Sequence, residues 1–192
     1  MVSFDELASM VASCKKCRLH ESRTNTVLGE GNKKAKLIFV GEAPGADEDR
    51  QGRPFVGKAG QLLDKALNAL GFDRKENFYI CNICKCRPEN NRTPMEDEAE
   101  ACIPYLRKQV TLIKPVIIVC LGATAAKYIL DRDAKITAIR GKWYEKKGYH
   151  IMATFHPAAI LRDESKKRLF WDDLKGLKEK YDILLTDQNK QA

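Results

Sequence analysis

The sequence predicts an α/β protein, a parallel sheet with helices on both faces, and three observations carry that prediction. Four short apolar runs, KLIFVG (36–41), FYICNI (78–83), VIIVCLG (116–122) and YHIMATF (149–155), are each bounded by turn residues. Helix-like segments at 58–70, 94–113 and 123–131 lie between them. The runs are near-continuously apolar, as strands buried on both faces are, and an intervening helix is how a chain returns to add a parallel strand. At 192 residues, 44% hydrophobic and 31% charged, the chain can bury a sizeable core in one domain, 1–192, with a short flexible tail expected at about 186–192.

The first segment, MVSFDELASMVASC, carries Asp5 and Glu6 where a signal peptide would have lysines, and no apolar run reaches membrane-spanning length. A cytoplasmic protein without membrane contact is expected. In a reducing compartment the seven cysteines fit metal binding better than a disulfide framework, which an odd number also fits poorly. Cys14 and Cys17 form the first CxxC.

The first strand runs into GEAPGADED (41–49), where Gly41, Pro44 and Gly45 make a tight turn and leave Glu42 at a strand end. Sites in parallel sheets form at such carboxyl ends. GRPFVGKA (52–59) follows the phosphate-binding pattern GxxxxGK[ST] until Ala59, which lacks the hydroxyl that would hold magnesium. That absence and the acidic ADED (46–49) argue against nucleotide hydrolysis. Backbone amides from Gly57 and Lys58 onward, opening a helix, remain candidates for a DNA phosphate.

The second strand carries Asn82, a polar side chain in an apolar run, whose buried amide costs about 1–3 kcal/mol if it finds no partner. An amide offers a donor and an acceptor side by side, the complement of one edge of a nucleobase. Strand alternation puts Cys81 and Cys84 on opposite sides, so these two read as packing residues, as does Cys120 in the third strand. Cys86 follows the strand in the loop KCRPENNRTP, and Cys102 sits in the helix-like PMEDEAEACIPYLRK. The favoured ligand set is therefore Cys14, Cys17, Cys86 and Cys102, and four thiolates suit zinc or an iron–sulfur cluster equally.

The fourth strand ends in HPAAILR (156–162), with His156 beside a proline-fixed turn. Ile160 and Leu161, read as loop residues, either pack inward or form a wedge that enters a base stack. The basic run RDESKKR supplies Arg162, Lys166, Lys167 and Arg168 for phosphate contact, in keeping with a net charge of +8.

Taken together, GEAPGADED, GRPFVGKAG, NICKCRPENNRTP and HPAAILR closely resemble the family 4 uracil-DNA glycosylases, the iron–sulfur branch of that superfamily. The resemblance runs from Cys14 to about Trp171. It implies a three-layer α/β/α sandwich around a four-stranded parallel sheet and a [4Fe–4S] cluster on Cys14, Cys17, Cys86 and Cys102. It also implies excision of uracil from single-stranded and duplex DNA, leaving an abasic site. Two departures matter. Ala43 stands where the best-known uracil glycosylases have a water-orienting aspartate, and the chain lacks the histidine-containing insertion of a covalent uracil-binding relative, so turnover is expected.

On this resemblance His156 stabilises the departing uracil anion and Glu42 positions water. Asn82 reads N3–H and O4, Phe55 stacks on the flipped base, Gly41 and Ala43 line the pocket, and Glu48 closes it near C5. Ile160 or Leu161 fills the gap left in the duplex. The cluster is structural, and the protein is expected to be a monomer. Nothing in either terminal segment identifies a sliding-clamp partner. A non-catalytic DNA-binding iron–sulfur module is the alternative; it leaves Glu42, Asn82 and His156 at three separate strand ends unexplained.

Overall fold

Each of the four apolar runs supplies one central strand of the sheet: β2 (Leu37–Gly41), β3 (Phe78–Asn82), β4 (Ile117–Leu121) and β6 (Tyr149–Thr154). They lie in the order β3-β2-β4-β6 and pair in parallel throughout. The structure is a computed structural model that describes residues 2–191, with side chains described to residue 186. The sheet has six strands where four were expected. β1 (Glu30–Gly31) and β5 (Trp143–Lys146) add antiparallel at the two edges. Neither is an apolar run: β1 is two residues long, and β5 reads WYEK, with its last two residues exposed.

Nine helices are described: α1 (Phe4–Ala12), α2 (Leu19–Ser22), α3 (Ala46–Gln51), α4 (Lys58–Ala69), α5 (Glu96–Ile113), α6 (Ala123–Ile129), α7 (Ile136–Ile139), α8 (Pro157–Arg162) and α9 (Lys167–Gln191). Strand alternation divides the core into two layers. Ile38, Val40, Tyr79, Cys81, Ile118, Cys120, Ile151 and Ala153 face one layer, packed on Leu7 and Val11 of α1 and Leu106 of α5. Leu37, Phe39, Phe78, Ile80, Ile117, Val119 and Met152 face the other, against Leu63 and Leu67 of α4 and Leu174 and Leu177 of α9. The result is the three-layer α/β/α arrangement. Among the described residues no helix is long and apolar enough to cross a membrane.

Parallel register brings the strand ends to one edge. Gly41 lies opposite Asn82, Val40 opposite Cys120, and Leu121 opposite Thr154. Glu42, Asn82, Gly122 and His156 therefore emerge side by side. The tail expected at 186–192 falls at the end of α9, where the side chains from 187 onward lie outside the described residues.

Candidate active site

A cleft of about 700 Å³ opens at this edge of the sheet. It is lined by Glu42, Ala43, Glu48, Phe55, Gly57, Lys58, Asn82, His156 and Arg162, which sequence reading singled out, and by Arg92 and Gly122 among others. That volume is ample for a small ligand and its flanking groups.

Asn82 forms the floor. It is 2% exposed, and its Oδ1 is a buried acceptor with no hydrogen-bond partner. Orphaned acceptors at such depth are uncommon and costly, so this one points to a group that arrives from outside. Gly41 creates the room: a Cβ there would lie 2.5 Å from Asn82 Oδ1 and 2.6 Å from Phe55 Cζ.

Phe55 walls the cleft from a left-handed backbone conformation, φ 53°, which costs a residue with a Cβ about 1–2 kcal/mol. Arg74 offsets that cost. Its guanidinium donates to the carbonyls of Pro54 (2.8 Å) and Phe55 (3.1 Å) while forming a two-oxygen pair with Asp64 (2.8 and 2.9 Å). A Cβ at Gly60 would collide with the Phe55 carbonyl, so the opening turn of α4 also needs its glycine. The Phe55 ring is 5.7 Å from the His156 ring, inclined by 30°. Phe55 thus belongs both to the core layer beneath it and to the cleft.

His156 is the N-cap of α8, and its Nδ1 accepts the Ala158 N–H at 3.1 Å. The segment HPAAILR is thus a helix and its cap, where a loop was expected. Burial, helped by the nearby Arg162 charge, lowers the His156 pKa to about 4. The ring is neutral at physiological pH, and with Nδ1 an acceptor its hydrogen resides on Nε2. Gly122, at φ 90°, makes this possible, since a Cβ there would stand 2.9 Å from His156 Cβ.

Glu42 Oε2 accepts a short hydrogen bond from the Thr124 hydroxyl at the start of α6. Glu48 has a different task. Its Oε1 accepts from Val56 N (2.9 Å) and Gly57 N (2.8 Å), and its Oε2 from Gly45 N (3.1 Å), so the carboxylate joins the two loops that wall the cleft. The Gly57 amide is thereby occupied. The next residue, Lys58, opens α4 and is exposed.

Ile160 and Leu161 separate. Ile160 is 1% exposed and packs in the α9-side core, which removes it as a wedge, whereas Leu161 is 48% exposed. Arg162 is exposed and lines the cleft. Lys166 pairs with Asp163 at 2.9 Å, and Lys167 and Arg168 are exposed at the start of α9. Of the basic run, Arg162 thus lines the cleft, while Lys166, Lys167 and Arg168 lie outside its lining.

A second, smaller cleft on the opposite layer is lined by Cys14, Cys17, Cys86 and Cys102, the four cysteines favoured from sequence. Cys102 Sγ accepts the Lys85 N–H at 3.2 Å, and Cys86 Sγ accepts from Arg23 at 3.1 Å. Donors of this kind suit anionic sulfur, so the residues fit a four-thiolate site. Burial pushes the Cys86 thiol up to about 11, opposed by Arg23. A hydrogen bond from Cys84 favours the thiolate of Cys102. Among the described residues no three His, Cys, Asp or Glu are gathered as ligands of a single ion. Cys81 and Cys84 are both fully buried and, contrary to the alternation argument, share one core layer, because β3 ends at Asn82 and the chain turns before Cys84.

The loop between Cys86 and Cys102 also reaches the first cleft. Arg92, on its wall, donates to both oxygens of the buried Glu98 at 2.8 and 2.7 Å, and those bonds hold the Glu98 carboxyl below its ordinary range. Arg74, Thr124, Gly122 and the Arg92–Glu98 pair escaped the sequence reading. Each acts through a partner distant in the chain or through backbone shape.

The family model described as "Uracil DNA glycosylase superfamily" matches residues 28–175. The chain belongs to the uracil DNA glycosylase superfamily. Within that superfamily it is similar to proteins named type-4 uracil-DNA glycosylase. The one from Sulfurisphaera tokodaii is 46% identical over 93% of this chain and 85% of the relative. The one from Archaeoglobus fulgidus is 44% identical over 93% and 94%, and that of Thermotoga maritima 44% over 90% and 91%. The superfamily match spans every strand end that lines the cleft, from Glu42 to His156, and leaves Cys14 and Cys17 outside. The type-4 relatives cover nearly the whole chain.

Proposed function

We propose that this chain is a DNA-repair glycosylase that hydrolyses the N-glycosidic bond of uracil in single-stranded and duplex DNA, releasing uracil and leaving an abasic site. The observation that carries the reading is the unpartnered Asn82 Oδ1, buried in a cleft with an aromatic wall and a neutral histidine. Uracil presents N3–H beside the acceptor O4, so Asn82 accepts from the first and donates to the second. Cytosine presents the reverse pattern and meets acceptor with acceptor and donor with donor.

As the bond from N1 to C1′ lengthens, the electron pair stays with uracil and the sugar gains oxocarbenium character. His156 Nε2–H is directed at O2, where the negative charge accumulates, and a neutral donor of this kind stabilises the anion without transferring its proton. Glu42, with Oε2 held by Thr124, keeps its other oxygen for water, positions that water for C1′ and takes up its proton as the new bond forms. Phe55 stacks on the base. The wall fixed by Glu48, with Gly41 and Ala43, closes around its edge. Leu161 enters the stack, and Lys58, Arg162, Lys166, Lys167 and Arg168 contact phosphates.

Cys14, Cys17, Cys86 and Cys102 would hold a [4Fe–4S] cluster, which when bound supplies a cross-link between the amino-terminal segment and the loop and helix after β3. The test is an oligonucleotide with a single uracil. Free uracil and an alkali-labile strand are expected; tight binding with the strand left intact would overturn the reading in favour of a binding module.

A further inference from the structure

Lys85 is buried at 1% exposure between two cluster-ligand candidates, and its ammonium has only neutral partners. Nζ donates to the Asn82 carbonyl and to Gln109 Oε1, each at 2.6 Å. Gln109 is itself fixed by donating to the Leu28 carbonyl (2.8 Å) and to the Tyr79 hydroxyl (3.3 Å). Among the described residues no carboxylate lies within ion-pair distance of Lys85, although 14 other such pairs are present. An ammonium taken from water without a countercharge costs several kcal/mol, so a lysine in this place calls for one. On the proposed reading the negative charge at hand is that of the four-cysteine site, and the Lys85 N–H reaches the Sγ of one of its members, Cys102, at 3.2 Å.

We propose that Lys85 is a positioning residue that couples the four-cysteine site to uracil recognition, with its backbone anchored on Cys102 and its ammonium, neutralised by the thiolate charge, holding the main chain of Asn82 in place. The arrangement explains why a lysine occupies a core position. It also explains how Asn82, whose side chain has an unpartnered oxygen, keeps a fixed orientation: the strand end is clamped from the cysteine side and by Gly41 from the other. The inference rests on the proposed reading that this chain carries a cluster and excises uracil.

The test compares the wild-type holoprotein with Lys85→Met and Lys85→Gln. Affinity is measured for a duplex bearing 2′-fluoro-deoxyuridine, which resists cleavage, and for the same duplex with cytosine. Cluster potential is read by film voltammetry. Lys85→Met should bind the uracil probe about tenfold more weakly, the size expected for losing a hydrogen bond from a charged donor, with cytosine-duplex affinity unchanged. Its cluster should be harder to reduce. Lys85→Gln keeps a donor for the Asn82 carbonyl, so it should recover most of the uracil affinity while retaining the shifted potential. Should Lys85→Met fail to fold, Gln109→Glu supplies the ammonium with a carboxylate and should move the potential in the same direction. Unchanged uracil affinity and potential in these variants overturn the proposal. A wild-type protein without iron or without uracil release would instead overturn the reading on which it rests.

Discussion

Gly41 and Asn82 face each other across the parallel pairing of β2 and β3, and a methyl group on Gly41 would stand 2.5 Å from Asn82 Oδ1. The space beside Asn82 Oδ1 is therefore made by a missing side chain on the neighbouring strand. Gly41→Ala should displace Asn82 and the Phe55 ring together, lowering the single-turnover rate of uracil excision by ~10²-fold or more, the scale on which small misplacements act. Binding to undamaged DNA should stay within twofold. Measuring both on one preparation separates a blocked pocket from a damaged fold.

His156 is held neutral by burial, with a pKa lowered to about 4 from an ordinary 6.5. The unfolded chain thus binds this proton more readily than the folded one between those values. Stability from this residue is fully present above pH 6.5 and is lost as pH falls through 4. His156→Gln should remove that part of the acid sensitivity of the melting temperature. NMR titration of the wild type should find Nδ1 unprotonated throughout the neutral range. His156→Ala should lower single-turnover excision by ~10²–10³, the cost of losing one preorganised donor, with DNA affinity unchanged.

Ile160 and Leu161 are adjacent, yet one is core and the other surface. Ile160→Ala should destabilise the fold by about 2–5 kcal/mol, visible in denaturant melts, because it leaves a cavity beneath α8. Leu161→Ala should leave stability nearly unchanged and impair excision from duplex far more than from single strands, since only a duplex has a stack to fill. Equal losses on both substrates would place the wedge elsewhere.

The cysteines divide in the same manner. Cys86→Ala or Cys102→Ala should lose the brown chromophore and iron, while Cys81→Ala, in the packed layer beside Val40, should keep both. Iron content per folded chain decides it; full retention in Cys86→Ala would contradict the assignment.

What could be read from the sequence follows from where each signal lies. Glu42, Asn82 and His156 stand out because a polar residue at the end of an apolar run is conspicuous, and parallel topology then forces such ends together. The edge strands were invisible because β1 has two residues and β5 has a half-solvated WYEK. Six helical residues are too few to show a period, so HPAAILR reads as a loop in the sequence, and the choice between inward packing and a wedge for Ile160 is settled only by its burial. Arg74 and Thr124 look ordinary in the chain. Their importance comes from the Phe55 carbonyl and the Glu42 carboxylate, partners supplied only by the folded structure. Glu48 was noticed for its charge, but its three backbone contacts come from loops that have no pattern of their own.

The central claim is that Asn82 reads uracil in this cleft, and the most direct measurement is single-turnover excision by wild type and Asn82→Asp on matched duplexes carrying uracil or cytosine at one position. An aspartate cannot donate to O4 and turns a charged oxygen toward it. The account predicts that wild type releases uracil and leaves cytosine, and that Asn82→Asp loses about tenfold to a hundredfold on uracil, the cost of an unmet buried hydrogen bond, while its discrimination against cytosine narrows. Uracil release by Asn82→Asp at the wild-type rate would contradict it.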